Sequence, residues 1–276
     1  MKFSVSTYSF GPYASRGVPF MIDEAARLGF EGIEFCLDGE YSDDELRSFA
    51  KRARDAGIAP VCSCVGADFL RCSDFREEIR KVEREVRRAA ALGTTLLRHD
   101  VSVGSPGKLS DRDYDDALPT LTAACREITE YARGFGIATC TENHGYFSQD
   151  ASRILKLYGS VGDGNFGVLC DIGNFMCADA DPVESTALVA PYAVHVHAKD
   201  FYLSREKEPA GEGWFPTRGG GSLLGAVIGD GDARAGESLS ALRKAGYDGF
   251  VTVEFEGAED NIEGIARGLE FLTNVK

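Results

Sequence analysis

Four residues of the kinds that bind metals or carry protons stand at the ends of apolar, strand-like segments. Glu142 follows IATCT, Asp171 follows GVLC, His197 lies in VHVHAKD, and Glu254 lies in VTVEFE. Three carboxylates gathered in one confined cavity repel one another, and without a cation at least one would take up a proton. A divalent cation relieves that repulsion. Three oxygen donors and one nitrogen favour Mn²⁺ or Mg²⁺, with Co²⁺ or Zn²⁺ as alternatives.

The segments that carry these residues belong to a regular alternation along the whole chain. Short β-rich segments are separated by stretches in which apolar residues recur at helical spacing. Ser42, followed by three acidic residues, predicts a helix start, and Gly57 and Gly93 stand where a helix must reverse into a strand. The predicted strands are Lys2–Tyr8, Gly32–Phe35, Ile58–Cys64, Thr95–His99, Ile137–Glu142, Phe166–Asp171, Ala193–Asp200 and Phe250–Phe255.

Eight strand–helix units in 276 residues predict an α/β fold, a single (β/α)₈ TIM barrel that fills one domain over residues 1–276. A doubly wound Rossmann-type sheet is the alternative, but the turn after the first strand lacks GxGxxG. The same absence argues against a nicotinamide or flavin cofactor. Because a TIM barrel places its chemistry at the carboxyl ends of the strands, the four residues are expected to meet at one mouth.

Composition excludes several other classes of function. The chain has 44 acidic and 30 basic side chains, a net charge of −14, which argues against binding a nucleic-acid backbone. No apolar run approaches the ~18 residues of a membrane span, and the first residues do not form a signal peptide. Eight cysteines without a CxxC pair, mostly in apolar segments, indicate free thiols and a cytoplasmic protein, and disfavour a structural zinc site.

Four phrases in the sequence resemble the sugar phosphate isomerase/epimerase superfamily, whose members are xylose isomerase-like TIM barrels. They are TENHG at 141–145, LCDIGNF at 169–175, HVHAKD at 195–200 and GYDGFVTVEFEG at 246–257. The superfamily includes ketose 3-epimerases, hydroxypyruvate isomerase, inosose dehydratase and endonuclease-IV-type enzymes. The resemblance extends over nearly the whole chain. It implies that Glu142, Asp171, His197 and Glu254 hold one divalent metal, Mn²⁺ being the first expectation.

The resemblance also implies an activity. In epimerase members the two glutamates form an acid–base pair, which assigns catalysis to Glu142 and Glu254 here. The expected enzyme is an isomerase or epimerase of carbohydrate metabolism that removes a proton α to a carbonyl of a small keto-sugar, through a metal-stabilised enediolate. A lyase or dehydratase of the inosose or dehydroshikimate type is the alternative, and a non-enzymatic binding or partner subunit is another. Family members are often oligomers, which leaves a homo-oligomer open.

Further polar residues are candidates for binding the substrate. Asn174 stands where ketose epimerases often have a histidine, and a cap of the next turn is its alternative role. Lys199 resembles the lysine of the HxKD motif of the family. His195 is expected either to line the barrel behind the residues that touch the metal or the substrate, or to be a hydrogen-bonded histidine of the core. A structural role is equally open for the other strand-end and loop residues. The substrate-binding candidates are Glu34, His99, His144, Asn174, Lys199, Trp214 and Arg218.

The segment from Phe201 to Arg234 is predicted to be the longest irregular stretch, and it contains Trp214 and Arg218. Long loops on the active face of a barrel commonly bind substrate or act as lids, and a surface loop is the alternative. Its IGDGD phrase resembles the GxGxxD turn of the family, except that Arg234 replaces the final aspartate.

Overall fold

The computed structural model describes residues 1–104, 111–206, 209 and 211–275. Eight parallel strands close into a barrel in the order β1, β11, β7, β6, β5, β4, β3, β2, which confirms the predicted fold class. The strands in chain order are β1 (Lys2–Ser6), β2 (Gly32–Cys36), β3 (Ala59–Val65), β4 (Leu96–His99), β5 (Ala138–Glu142), β6 (Phe166–Asp171), β7 (Ala193–Ala198), β8 (Asp200–Ser204), β9 (Phe215–Pro216), β10 (Ser222–Ala226) and β11 (Phe250–Val253).

Helices surround the barrel and bury their apolar faces against its outer surface. The predicted start at Ser42 is confirmed, since its side chain and that of Glu45 form a capping box at the first helix turn. The helices are α1 (Val18–Leu28), α2 (Asp43–Asp55), α3 (Phe75–Leu92), α4 (Asp111–Arg133), α5 (Gly145–Ser148), α6 (Ala151–Val161), α7 (Pro182–Val189), α8 (Ala235–Lys244) and α9 (Asn261–Asn274), with 3-10 segments at Thr7–Arg16, Asn174–Ala178 and Ala190–Tyr192. No described helix is both long and apolar enough to cross a membrane.

The interior of the barrel is polar along part of its wall. Ser4 Oγ lies 2.7 Å from Thr252 Oγ1, which lies 2.8 Å from His195 Nε2. That nitrogen in turn lies 3.1 Å from Glu34 Oε2. Strand residues of one parity point into a barrel and the others point outward, so this chain of contacts joins inward positions on β1, β11, β7 and β2. The strands that carry the candidate site are therefore tied together from inside.

The region after β7 differs from the sequence prediction. One strand was expected over Ala193–Asp200, but β7 ends at Ala198, and Asp200 begins β8 of a separate antiparallel sheet with order β8, β10, β9. The prediction of one irregular stretch is thus wrong in part, because β8 pairs with β10, and Phe201 of β8 and Leu223 of β10 are both buried. Residues 207, 208 and 210 of that stretch lie outside the described residues. The buried Asp200 carboxylate accepts backbone N–H groups from Gly229 and three other residues, which fixes the following turn.

The first strand also ends earlier than predicted. It was expected to reach Tyr8 but stops at Ser6, where the 3-10 segment Thr7–Arg16 begins. Ser6 acts as the cap of that segment, since its hydroxyl accepts the backbone N–H of Tyr8. The alternation of apolar and polar residues also breaks here, since Ser6 and Thr7 are both polar, so two local signals mark the boundary.

His99 lies on the outer face of β4, inside the apolar layer between strands and helices. Its ring packs against Phe69 and Phe166, and its Nδ1 donates to the backbone carbonyl of Asp100 at 2.9 Å. The side chain is fully buried, and its Nε2 has no hydrogen-bond partner among the described residues. Burial lowers the pKa of His99 to about 4, because an imidazolium ion in this layer would lose its hydration. The structure therefore does not bring this substrate-binding candidate to the barrel mouth.

We expect the buried His99 to make folding stability dependent on pH. Its folded pKa lies below the ordinary unfolded value, so its neutral form stabilises the protein fully above about pH 6.5, and stability is lost as the pH falls towards 4. Urea unfolding at pH 7.5 and 5.5 should show a loss larger by about 1 kcal/mol in the wild type than in His99→Leu. The two proteins share every other titrating group, so equal losses would contradict the assignment.

Candidate metal site

Four side chains converge at the carboxyl ends of neighbouring strands. Glu142 ends β5, Asp171 ends β6, His197 lies near the end of β7, and Glu254 directly follows β11. One ligand atom from each lies within 4.8 Å of those of the other three. His197 Nδ1 is 3.4 Å from Glu254 Oε2 and 3.8 Å from both Glu142 Oε1 and Asp171 Oδ2. Only Glu254 retains measurable exposure, 13% of its side chain.

The donor atoms of this cluster fit a divalent cation. Asp171 Oδ2 and His197 Nδ1 are buried and have no hydrogen-bond partner in the described part of the chain. Burial raises the pKa of Asp171 to about 7, with the charges of Glu142 and Glu254 adding to the effect and Lys199 opposing it. Unpaired buried donors and crowded carboxylates are both unfavourable without a cation. Three carboxylates and one imidazole match the oxygen-rich ligand sets of Mn²⁺ and Mg²⁺, and Zn²⁺ also accepts them.

Glu34 determines which nitrogen of His197 faces the carboxylates. Its Oε2 lies 2.9 Å from His197 Nε2 and 3.1 Å from His195 Nε2. A carboxylate only accepts hydrogen bonds, so His197 Nε2 carries a proton, and the neutral ring would present the lone pair of Nδ1 to a cation at the cluster. Burial would raise the pKa of Glu34, but the two imidazoles outweigh it and hold the pKa well below its usual range. Glu34 is therefore buried beneath the cluster, in contact with the imidazoles of His195 and His197.

Two asparagines hold the carboxylates in place. Asn143 exchanges two hydrogen bonds with the backbone of Asp171, at 2.9 and 2.8 Å. The backbone N–H of Asn174 donates to Asp171 Oδ1 and its side-chain amide donates to Glu142 Oε1, both at 2.8 Å. Asn174 thus contacts two of the cluster carboxylates, and its side chain does not cap the following turn, whose N-cap residue is Gly173. These bonds leave the second oxygen of Asp171 directed at the other three side chains.

Two buried cations flank the cluster from opposite sides. Arg98 Nη2 lies 2.6 Å from Glu142 Oε2 and 3.0 Å from Asp100 Oδ1. Lys199 Nζ lies 2.6 Å from Glu254 Oε2 and 3.2 Å from Glu256 Oε1. Sequence reasoning found Lys199 but missed Arg98. The available signal was an arginine within the apolar segment TLLRH, one residue before His99 and therefore on the inward face of the strand.

His144 forms a separate pair with Asp100 beside the cluster. Its Nδ1 lies 2.9 Å from Asp100 Oδ1, and 37% of its side chain is exposed. Burial lowers the pKa of His144, but the Asp100 carboxylate outweighs burial and raises it. A histidine oriented by a carboxylate, and not itself part of the four-residue cluster, is a suitable proton carrier.

The sequence matches the family described as xylose isomerase-like TIM barrel over residues 22–275. The chain belongs to this family. The resemblance seen in the four sequence motifs is therefore confirmed.

Individual relatives show what this xylose isomerase-like barrel is similar to. It is 26% identical over 242 residues to the 3-oxo-isoapionate decarboxylase of Pectobacterium atrosepticum, covering 84% of this chain and 79% of the relative. The probable 3-DHS dehydratase AsbF of Bacillus anthracis superposes over 100% of both chains with TM-score 0.74 and 20% identity. A D-psicose 3-epimerase crystallised with D-fructose superposes over 100% and 99% with TM-score 0.76 and 20% identity.

Two loop candidates are not brought to the centre of this xylose isomerase-like barrel. Arg218 donates to Asp150 Oδ2 at 2.6 Å and to the carbonyl of Tyr146, so it fastens the loop before β10 to the α5 region. Trp214 is half-buried beside Gly211, in the loop that leads to β9. No described hydrogen bond or ion pair joins either residue to the cluster.

A cavity of about 280 Å³ opens beyond the ends of β1 and β2, and its lining includes none of the four cluster residues. Its lining includes Tyr8, Cys36 and Tyr41. The charge of Glu256, together with burial, raises the pKa of Tyr8, which places the phenol beside the Glu254 side of the cluster. The larger cavity of about 610 Å³, lined by Met176, Leu203 and others, contains none of the four cluster residues.

Replacing Glu34 by glutamine should weaken cation binding at the cluster. The amide keeps the shape of the side chain but no longer requires His197 Nε2 to donate, so the lone pair of Nδ1 is not fixed. We expect Mn²⁺ affinity, measured by calorimetric titration, to fall by about 10–100-fold. Glu40→Gln, at an exposed position of the same chain region, should bind Mn²⁺ like the wild type. Unchanged affinity in Glu34→Gln would show that Glu34 does not position His197.

Proposed function

We propose that this protein is a divalent-metal-dependent isomerase or 3-epimerase that removes a proton α to a carbonyl of a small keto-sugar. The arrangement of Glu142 and Glu254 carries this proposal. They stand at the two ends of the strand arc β5, β6, β7, β11, with Asp171 and His197 between them. A substrate seated over the arc is therefore reached by one carboxylate from each side, as proton removal and return on opposite faces requires.

The four cluster residues would hold the cation, and Mn²⁺ suits their three oxygens and one nitrogen best. When bound, the cation supplies a Lewis acid that stabilises negative charge as it develops on substrate oxygens. Glu142 and Glu254 take and return the proton at their carboxylate oxygens. Arg98 lies 2.6 Å from Glu142 and Lys199 lies 2.6 Å from Glu254, so each carboxylate has a cation beside it and both cations offer N–H donors near the substrate oxygens.

A lyase is the second candidate, and the His144–Asp100 pair favours it. His144 is exposed towards the mouth and its proton is not shared with the four-residue cluster. A dehydratase or decarboxylase needs a proton carrier to serve the leaving group or the carbanion, in addition to the groups that stabilise the enolate. The names of the decarboxylase and dehydratase relatives support this candidate, and that of the D-psicose 3-epimerase supports the first. A non-enzymatic barrel has no comparable support, since all four cluster residues are present.

We also propose the setting in which the protein works. The eight cysteines are free thiols, which suits the cytoplasm, and the net charge of −14 suits a small-molecule substrate better than a nucleic acid. The chain would act in carbohydrate metabolism as one domain. A homo-oligomer is compatible with these features.

Metal content tests the first part of the proposal. Purified wild type loaded with Mn²⁺ should retain about one equivalent at the cluster after desalting, by the donor count, and Asp171→Ala should retain none there. Asp38→Ala, at an exposed position, is the matched control and should behave like the wild type. Failure of the wild type to bind any divalent cation at neutral pH would overturn the proposed mechanism.

Proton exchange tests the reaction itself. We expect deuterium from D₂O to enter a keto-sugar at the carbon next to the carbonyl, and Glu142→Gln or Glu254→Gln to slow this by about 10²–10⁴-fold. The Mn²⁺ content of each variant must be measured as well, so that loss of the cation is not mistaken for loss of the base. An epimer or aldose–ketose isomer as product supports the first candidate. An unsaturated or decarboxylated product that His144→Gln no longer forms would establish the lyase instead.

A further inference from the structure

A second group of metal-binding side chains lies inside the barrel on β2 and β3. Glu34, Cys62 and Cys64 occupy inward positions, and Glu34 is paired in register with Cys62. A carboxylate oxygen of Glu34 and the two sulfur atoms lie within 4.8 Å of one another. The sequence analysis predicted that these cysteines are small apolar residues buried in a strand, because their spacing matches no common zinc motif.

One carboxylate oxygen of Glu34 is free to bind a cation in this group. Its Oε2 accepts from both His195 and His197, whereas its Oε1 is fully buried and has no hydrogen-bond partner in the described part of the chain. A buried carboxylate oxygen without a partner is unfavourable by about 1–3 kcal/mol or more. An ion bound among Glu34 and the two sulfurs would satisfy it.

We propose that Cys62, Cys64 and Glu34 form a second cation site, specific for a thiophilic ion such as Zn²⁺, beneath the four-residue cluster. Two thiolates and a carboxylate, completed by an imidazole or a water molecule, are a ligand set that Zn²⁺ accepts and that Mg²⁺ does not. On binding, each thiol releases its proton to solvent as its sulfur–metal bond forms, and no electron is transferred. This site goes beyond the proposed function and does not depend on it.

The positions of the two cysteines indicate how an ion reaches the site. Cys64 lies on the mouth side and is partly exposed, whereas Cys62 is fully buried below it, so an ion that enters through the mouth meets Cys64 first.

His197 links the new site to the cluster above. Its Nε2 depends on Glu34 and its Nδ1 faces Glu142, Asp171 and Glu254. An ion that draws Glu34 towards the sulfurs weakens the bond that holds His197 in its ligating tautomer. Occupation of the lower site should therefore loosen the upper one, so that thiophilic ions in excess inhibit a protein that Mn²⁺ supports.

Cobalt spectroscopy separates the two sites. Metal-free, full-length, reduced protein is titrated with Co²⁺, because thiolate–Co²⁺ bonds add a charge-transfer band in the near ultraviolet that oxygen and nitrogen ligands do not. We expect the wild type to bind up to two equivalents, by the count of the two sites, the upper site more weakly once the lower one is filled, and to show this band. Asp171→Ala should lose one equivalent and keep the band, whereas Cys62→Ser/Cys64→Ser should lose the band and keep the other equivalent.

Controls keep the test decisive. Cys72→Ser, which removes a thiol outside the barrel, should retain the band, and Zn²⁺ should abolish it in the wild type. Should the double variant not fold, as judged by its thermal unfolding, Cys64→Ala alone is used, and its band should be weakened because one of the two thiolates is removed. The proposal is overturned by absence of the band in folded wild type, or by an undiminished band in a folded variant that lacks Cys64.

Discussion

The concentration of negative charge at one end of the barrel is the constraint on which the rest of the site depends. Three carboxylates share a space in which their donor atoms lie within 4.8 Å of one another and of an imidazole. In a buried environment such a group persists only with compensating positive charge. Arg98 and Lys199 supply part of it, each bound to a different glutamate of the group. Asp171 Oδ2 and His197 Nδ1, which have no hydrogen-bond partner in the described part of the chain, are atoms that fit a cation.

Hydrogen bonds inside the barrel connect the cluster to polar residues that lie below it. Glu34 accepts the proton of His197 Nε2, which leaves Nδ1 as the ring nitrogen that faces the cluster. Glu34 also accepts a hydrogen bond from His195. His195 continues through Thr252 to Ser4 on the first strand. An apolar side chain at any of these positions would leave a neighbouring polar group buried without a hydrogen-bond partner. The barrel wall is thus part of the site.

The sequence predicts those features of the fold and of the cluster that leave a pattern among neighbouring residues, and it does not predict contacts between distant residues. The eight strands and the four cluster residues were identifiable, because each residue directly follows an apolar segment and the fold brings strand ends together. Arg98 and His99 show the limit: they are adjacent, yet one faces the cluster and the other an apolar layer, so an uncertainty of one residue exchanges their roles. Contacts such as that of Arg218 with Asp150 join residues 68 positions apart and leave no local pattern.

The ligand-bearing strands form one uninterrupted half of the barrel, from β5 through β6 and β7 to β11, while β1 to β4 contribute none of the four donors. The small cavity at Tyr8 and Cys36 lies on that other half. Mutations that reshape it leave the four donor residues themselves unchanged. Substitutions in the lining of this cavity can therefore alter which molecules the rim admits without replacing any of the four residues.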